Sequence, residues 1–382
     1  MSGRLLRLVC TGAVAVGALL PSTPAVAAPE PGSGAPPSVA TLLTDLQRLY
    51  RDAERATETY NGTAEKLEKQ RAEVARLDAR LARARLSLED SRTAAGRLAR
   101  QQYQGADEIS PYVRLLLARD PQHALDQGHL IGQLSLERAQ TVRRVAGGEK
   151  RTDGLARAAR KALDGQLSLA ARQKKERDEV RERLDDVERL LASLTAEQIA
   201  EMDRVEKSGT DAAQKKIMAS GALSSVRPPT REGEEALRYA VEQIGKPYEW
   251  GAEGPKAYDC SGLTSQAWER AGRAIPRTSQ EQWAELPRIP LDKLRPGDLV
   301  IYFPEATHVA IYLGDGMVVQ APRPGTRIKV SPIAANPLLG AVRPDPDGEP
   351  LGHYTPPELP EHATEGSDAG FAPGGPATVT TG

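Results

Sequence analysis

From Leu42 onward, apolar residues recur in alternating steps of four and three: Leu42, Leu46, Leu49, Ala53, Ala56, Tyr60, Thr63, Leu67, Gln70, Val74, Leu77, Leu81, Ala84, Leu88, Ser91, Ala95 and Leu98. This is a heptad seam, interrupted by polar residues at Thr63, Gln70 and Ser91. A helix of that length reaches roughly 85 Å. Gly105 predicts its end. Charges of both signs, Glu65, Lys66, Glu68, Lys69, Arg71 and Glu73 among them, fall on the outer face and solvate it.

Ser110-Pro111 and Asp120-Pro121 each read as an N-cap followed by proline at the first helical position. They predict short helices over 112–118 and 122–136. The dense apolar set here, including Val113, Leu115, Leu116, Leu117, Leu125, Leu130 and Leu136, reads as the core of a helical cap at a hairpin tip rather than an exposed docking surface. Gly147-Gly148 predicts a break. A second seam through Val180, Leu184, Val187, Leu191 and Leu194 then predicts a returning helix, so 39–207 is expected to be a long antiparallel α-helical coiled coil.

The period changes after a linker expected over 208–231, where Ser224, Ser225, Pro228 and Pro229 stand. Helices are predicted over 232–244 and 260–270. Strand-like runs follow at 299–303, 308–313, 317–321, 327–330 and around Ala341-Val342, with Gly314-Asp315-Gly316 as a tight hairpin turn. Helices followed by an antiparallel meander predict an α+β domain over 232–345. The Pro-, Gly- and Thr-rich stretch 346–382 is expected to be a disordered tail. At the other end, Arg4 and Arg7, the apolar run Leu8–Leu20 and Ala25-Val26-Ala27 have the layout of a secretory signal over 1–28, with a linker over 29–38.

Composition adds two constraints. Lys+Arg number 51 against 52 Asp+Glu, for a net charge of -1, which gives no electrostatic case for nucleic acid. Trp250, Trp268 and Trp283 are the chain's three tryptophans and all lie between 231 and 344, which places the compact core there.

The chain has two cysteines, and Cys10 lies in the expected signal, leaving Cys260 as one free thiol in the mature protein. Asp259-Cys260-Ser261-Gly262 reads as a cap entering a helix, which puts Cys260 at the positive end of the dipole. His308, alone of five histidines inside the expected compact domain, opens a strand that can face Cys260 as a general base. Gln320 flanks the same hairpin turn and can accept a hydrogen bond from one ring nitrogen, fixing the imidazole. His123 and His129 lack a metal-ligand pattern, and no metal or organic cofactor is expected.

With these residues in place, the chain resembles the NlpC/P60 family of bacterial peptidoglycan peptidases. The matching stretches are Gly245–Gly251, Tyr258–Thr264, Pro276–Gln282, Leu294–Val300 and His308–Gly314, in that order and spacing. The resemblance implies a papain-like fold and cleavage of stem peptides at the γ-D-glutamyl–diaminopimelate bond. By position it makes Cys260 the nucleophile and His308 the base, with Gln320 in a place where many members have histidine. It sets Tyr248 beside the nucleophile and gives Asp259 and Ser261 contact with substrate. Arg277 and Ser279 fall at the border of the groove without an assigned role. The expected protein is a secreted, wall-associated cysteine endopeptidase whose partners are peptidoglycan stem peptides and a membrane-complex activator. The coiled coil would restrain or target it. The competing reading is a non-catalytic wall-binding scaffold working through the coiled coil.

Overall fold

The computed structural model describes residues 38–104, 110–118, 120–223, 227–366 and 368. The expected signal and most of the first linker lie outside these residues. Helix α1 (Val39–Gln104) is 66 residues long. After the short α2 (Pro111–Leu116), helix α3 (Pro121–Ala192) runs back along it for 72 residues. Gln70 Nε2 donates to the Ala162 carbonyl at 2.8 Å, and Arg92 reaches Glu149, which fixes the antiparallel order. The seam residues Leu42, Leu46, Ala53, Leu67, Leu77, Leu81 and Leu88 are buried as the heptad pattern predicts.

Two expectations for the hairpin are corrected. Gly147-Gly148 does not break α3, because a Cβ on Gly148 would stand 3.1 Å from Leu88 Cδ1. The glycine lets the two helices approach, and the packing outweighs its poor helix propensity. The apolar tip is not a core either. Leu116, Leu117 and Leu125 are 84%, 68% and 74% exposed. The tip has too few facing elements to bury them.

Helix α4 (Ala196–Ala219) follows, opened by a reciprocal cap between Thr195 and Gln198. It extends twelve residues into the expected linker (208–219) and buries Met202 against α1. The second domain begins with α5 (Arg231–Glu242), α6 (Cys260–Arg270) and α7 (Ser279–Glu285), the last not foreseen. An antiparallel sheet then forms from β1 (Arg288–Ile289), β2 (Leu299–Tyr302), β3 (His308–Gly314), β4 (Met317–Gln320), β5 (Lys329–Pro332) and β6 (Leu338–Val342), in the order β1-β6-β2-β3-β4-β5. The β3–β4 turn carries positive φ at Gly314, Asp315 and Gly316, as a tight hairpin requires.

One face of the sheet packs Val309, Ile311, Val319 and Val330 against Leu237, Leu263 and Trp268 of α5 and α6. This α+β domain, preceded by the long helical region, is the fold class the sequence predicts. The stretch after Asp345 is not loose throughout. The Leu351 amide donates to the Pro229 carbonyl at 2.8 Å, and the Val330 amide donates to Ala363, which is buried. Disorder is therefore the wrong expectation for 346–366. Backbone pairing and a buried alanine hold a segment that has no periodicity to announce it.

Candidate active site

Cys260 is the first residue of α6. Its N-cap Asp259 accepts the Gly262 amide at 2.6 Å, as the sequence predicts. Cys260 shares one buried cluster with Val309 at the start of β3, and the Val309 N–H works against the rise in the thiol pKa. His308 opens that strand, one residue before Val309. On β4, the Gln320 Oε1 lies 2.7 Å from His308 Nε2, the orienting bond expected from the hairpin. Tyr248 is buried near the sulfur, and burial together with the charges of Cys260 and Asp259 pushes its phenol well up. The structure thus brings Cys260, His308, Gln320 and Tyr248 together.

Asp259 and Ser261 also sit in the cleft, but inside the protein's own network. Arg277 grips Asp259 at 2.8 and 3.1 Å and donates to Ser261 Oγ at 2.8 Å. The rest of that network comes from α1. Asn61 Nδ2 donates to Asp259 Oδ2 at 3.0 Å. The Glu58 carboxylate accepts the Ser261 hydroxyl at 2.7 Å, the Ser279 amide at 2.5 Å and the Ser279 hydroxyl at 2.9 Å. Glu54 places Oε1 3.7 Å from His308 Nδ1. Among the described residues, neither that ring nitrogen nor Glu54 Oε2 has a hydrogen-bond partner.

Sequence reasoning missed Glu54, Glu58 and Asn61. Their spacing of four and three, one step round the helix from the seam, was the available signal, but a polar stripe on a helix ordinarily faces solvent.

The helix sealing the cleft overturns one expectation about the thiol. Cys260 is 2% exposed. Burial, followed by the charges of Glu58, Asp259 and Glu54, pushes its pKa well above the ordinary value instead of lowering it. Burial pushes His308 down to about 4. Glu54 rises to about 8, mainly through burial with Glu58 adding to it, and Glu58 rises to about 7 through burial and the Asp259 charge. The resting site holds a neutral thiol and a neutral imidazole. Among the described residues, no group of three His, Cys, Asp or Glu side chains could hold a metal ion.

A cysteine at a helix start, packed beside a central strand that a histidine opens, with an amide on the next strand bonded to that histidine, has the parts of a Cys–His–amide site in an α+β domain. Residues 245–339 match the model of the NlpC/P60 family, and the C-terminal part of the chain is an NlpC/P60 domain. Among similar proteins, a probable endopeptidase of Corynebacterium glutamicum is 41% identical over 127 residues, which cover 33% of this chain and 60% of that one. A probable endopeptidase of Mycobacterium tuberculosis is 35% identical over 124 residues, 32% of each chain. The chain thus spans less than two thirds of either relative. The crystal structure of the NlpC/p60 domain of the peptidoglycan hydrolase SagA is 32% identical, with a TM-score of 0.28, covering 29% of this chain and 97% of that one.

Proposed function

We propose that this protein is a secreted cysteine endopeptidase of peptidoglycan stem peptides, held closed by its own first helix. The observation that carries the reading is the pair of α1 carboxylates in the cleft. Glu58 occupies a seat made of two hydroxyls and an amide, and Glu54 stands against the free ring nitrogen. A substrate carboxylate would be received by the same three donors once α1 leaves. The γ-D-glutamyl–diaminopimelate bond fits this, since a γ-linked glutamate keeps its α-carboxylate free.

With the cleft open, water and the helix dipole lower the Cys260 pKa. His308 Nδ1 takes the thiol proton while Nε2–H stays on Gln320. The thiolate attacks the γ-carbonyl carbon, and the carbonyl π pair moves to oxygen. The intermediate collapses as the C–N bond breaks, His308 gives its proton to the leaving amine, and a thioester remains. Water, deprotonated by His308, attacks that thioester and releases Cys260.

The buried thiol also favours a second reading, a wall-binding scaffold that never opens for chemistry. Digestion of purified sacculi separates the two. The Glu54→Ala/Glu58→Ala double variant is expected to release peptides with new amino termini at diaminopimelate, read by mass spectrometry. Adding Cys260→Ala is expected to abolish them. Sacculi that retain the double variant but yield no new termini would favour the scaffold.

A further inference from the structure

Gln320 sets the imidazole only if its amide oxygen, and not its NH2, faces the ring. A neutral imidazole accepts either arrangement. With the oxygen toward Nε2, that nitrogen carries the proton and Nδ1 is a base. With the NH2 toward Nε2, the proton moves to Nδ1 and the base is lost. Something beyond Gln320 must select the orientation.

That group comes from the C-terminal stretch, beyond the matched residues 245–339. In the β4–β5 register Gln320 pairs with Lys329, so both side chains leave one face of the sheet, and Ser331 follows two residues on along the same face. Asp368 meets all three. Its Oδ1 accepts from Ser331 Oγ at 2.5 Å, lies 3.2 Å from Lys329 Nζ and accepts from Gln320 Nε2 at 3.4 Å. An ionised carboxylate is only an acceptor. It therefore draws the Gln320 NH2 toward itself and turns the amide oxygen to His308. The segment leading to it is tied down twice, by Val330 N–H donating to Ala363 at 2.7 Å and by Lys329 Nζ donating to the Gly366 carbonyl at 2.5 Å.

The geometry points to Asp368 as a positioning residue: through Gln320 it fixes the His308 tautomer that leaves Nδ1 free to take the Cys260 proton. The inference rests on the endopeptidase reading for its consequence, but not for its test. The charge of Asp368 also acts on the ring directly and raises the His308 pKa, supporting the imidazolium as it forms.

Because Glu54 also faces the ring, the test is run on the full chain in both the native and the Glu54→Leu backgrounds. Selectively 15N-labelled histidine reports the tautomer, with the His308 signals assigned by their loss in His308→Ala. The parent chains are expected to show Nε2 protonated and Nδ1 bare. Asp368→Leu in the Glu54→Leu background is expected to give a mixture of tautomers, whereas Asp368→Asn, which keeps an oxygen for Gln320, holds the single form. A His308 signal unchanged by Asp368→Leu overturns the inference, whatever the activity. Thermal unfolding checks that each variant is folded, and Asp368→Ala, expected to give the same mixture of tautomers, carries the comparison if the leucine variant is not. In the Glu54→Ala/Glu58→Ala background, Asp368→Leu is expected to slow turnover about tenfold at unchanged KM, part of the roughly 10²–10⁴ a positioned base supplies. A tautomer that shifts in a protein that cuts no muropeptide would sink the endopeptidase reading and leave the positioning role standing.

Discussion

The Glu58 carboxylate accepts the Ser261 hydroxyl at 2.7 Å across 203 residues of chain. Ser261 directly follows the cysteine, so a residue of the first helix is hydrogen-bonded within one position of the candidate nucleophile. The contact is part of a set. Glu54, Glu58 and Asn61 lie on one face of α1 and reach His308, Ser279 and Asp259 in turn.

Reaction of Cys260 with a small neutral alkylating reagent measures how often that face lifts. Glu58→Ala removes the buried acceptor of the Ser261 hydroxyl, the Ser279 amide and the Ser279 hydroxyl, hydrogen bonds worth about 0.5–1.5 kcal/mol each. The expected result is alkylation faster by at least about tenfold, since 1.4 kcal/mol is one decade. Equal rates in the native and variant chains would show that α1 does not limit access.

The same contact makes access depend on pH. Glu54 and Glu58 ordinarily titrate near 4.5 but are raised to about 8 and about 7 in the closed cleft. Arg323, Arg51 and Arg277 offset part of the burial, while Asp259 works with it. A raised pKa means the closed form binds more protons, so these groups stabilise closure fully below about 4.5 and lose that contribution as pH rises through about 7–8. His308, lowered to about 4 from 6.5, acts the other way, favouring closure above about 6.5 and opposing it as pH falls through about 4. Two carboxylates outweigh one imidazole, and the latch loosens as pH rises. Below the thiol's own pKa, the logarithm of the alkylation rate is expected to climb with a slope above one per pH unit in the native chain. Above about pH 6.5, where His308 is neutral in both forms, the Glu54→Gln/Glu58→Gln variant is expected to show a slope of one, from the thiol alone. Equal slopes would remove the carboxylates from the gate.

Arg277 holds the floor of the cleft. It is 8% exposed and pairs with Asp259, which is fully buried. Replacing it by methionine leaves a buried carboxylate supported by Asn61, the Ser261 hydroxyl and the amides of Gly251 and Gly262. Loss of one partner of a buried pair costs about 3–5 kcal/mol. Denaturant unfolding of Arg277→Met is expected to show a loss near the lower end of that range, because those four donors remain. Arg277→Lys is expected to recover only part of it, since a single ammonium cannot reproduce the forked grip.

Much of the sheet domain was legible in advance. The strand-like run 308–313, the Gly-Asp-Gly turn and the Asp-Cys-Ser-Gly cap are local signals, and local geometry delivered the His308–Gln320 bond and the helix start at Cys260. Features that depend on distant partners were not legible. Glu54, Glu58 and Asn61 resemble any solvated helix face until Ser261, Ser279 and Asp259 are folded against them. Gly147-Gly148 resembles a joint until Leu88 is packed beside it. Asp368 lies in a stretch without periodicity, and only the register of β5 shows what it meets.

The unbroken run of α1 has a mechanical consequence. From Glu58 to Gln104 the helix continues for about 70 Å without interruption. The helix also runs 15 residues the other way, from Glu54 back to Val39, where Leu42, Leu46 and Tyr50 pack against Val187 and Met202. Glu54, Glu58 and Asn61 are carried on this one continuous rod, so a rigid displacement of α1 large enough to withdraw one of them from its partners moves the other two with it.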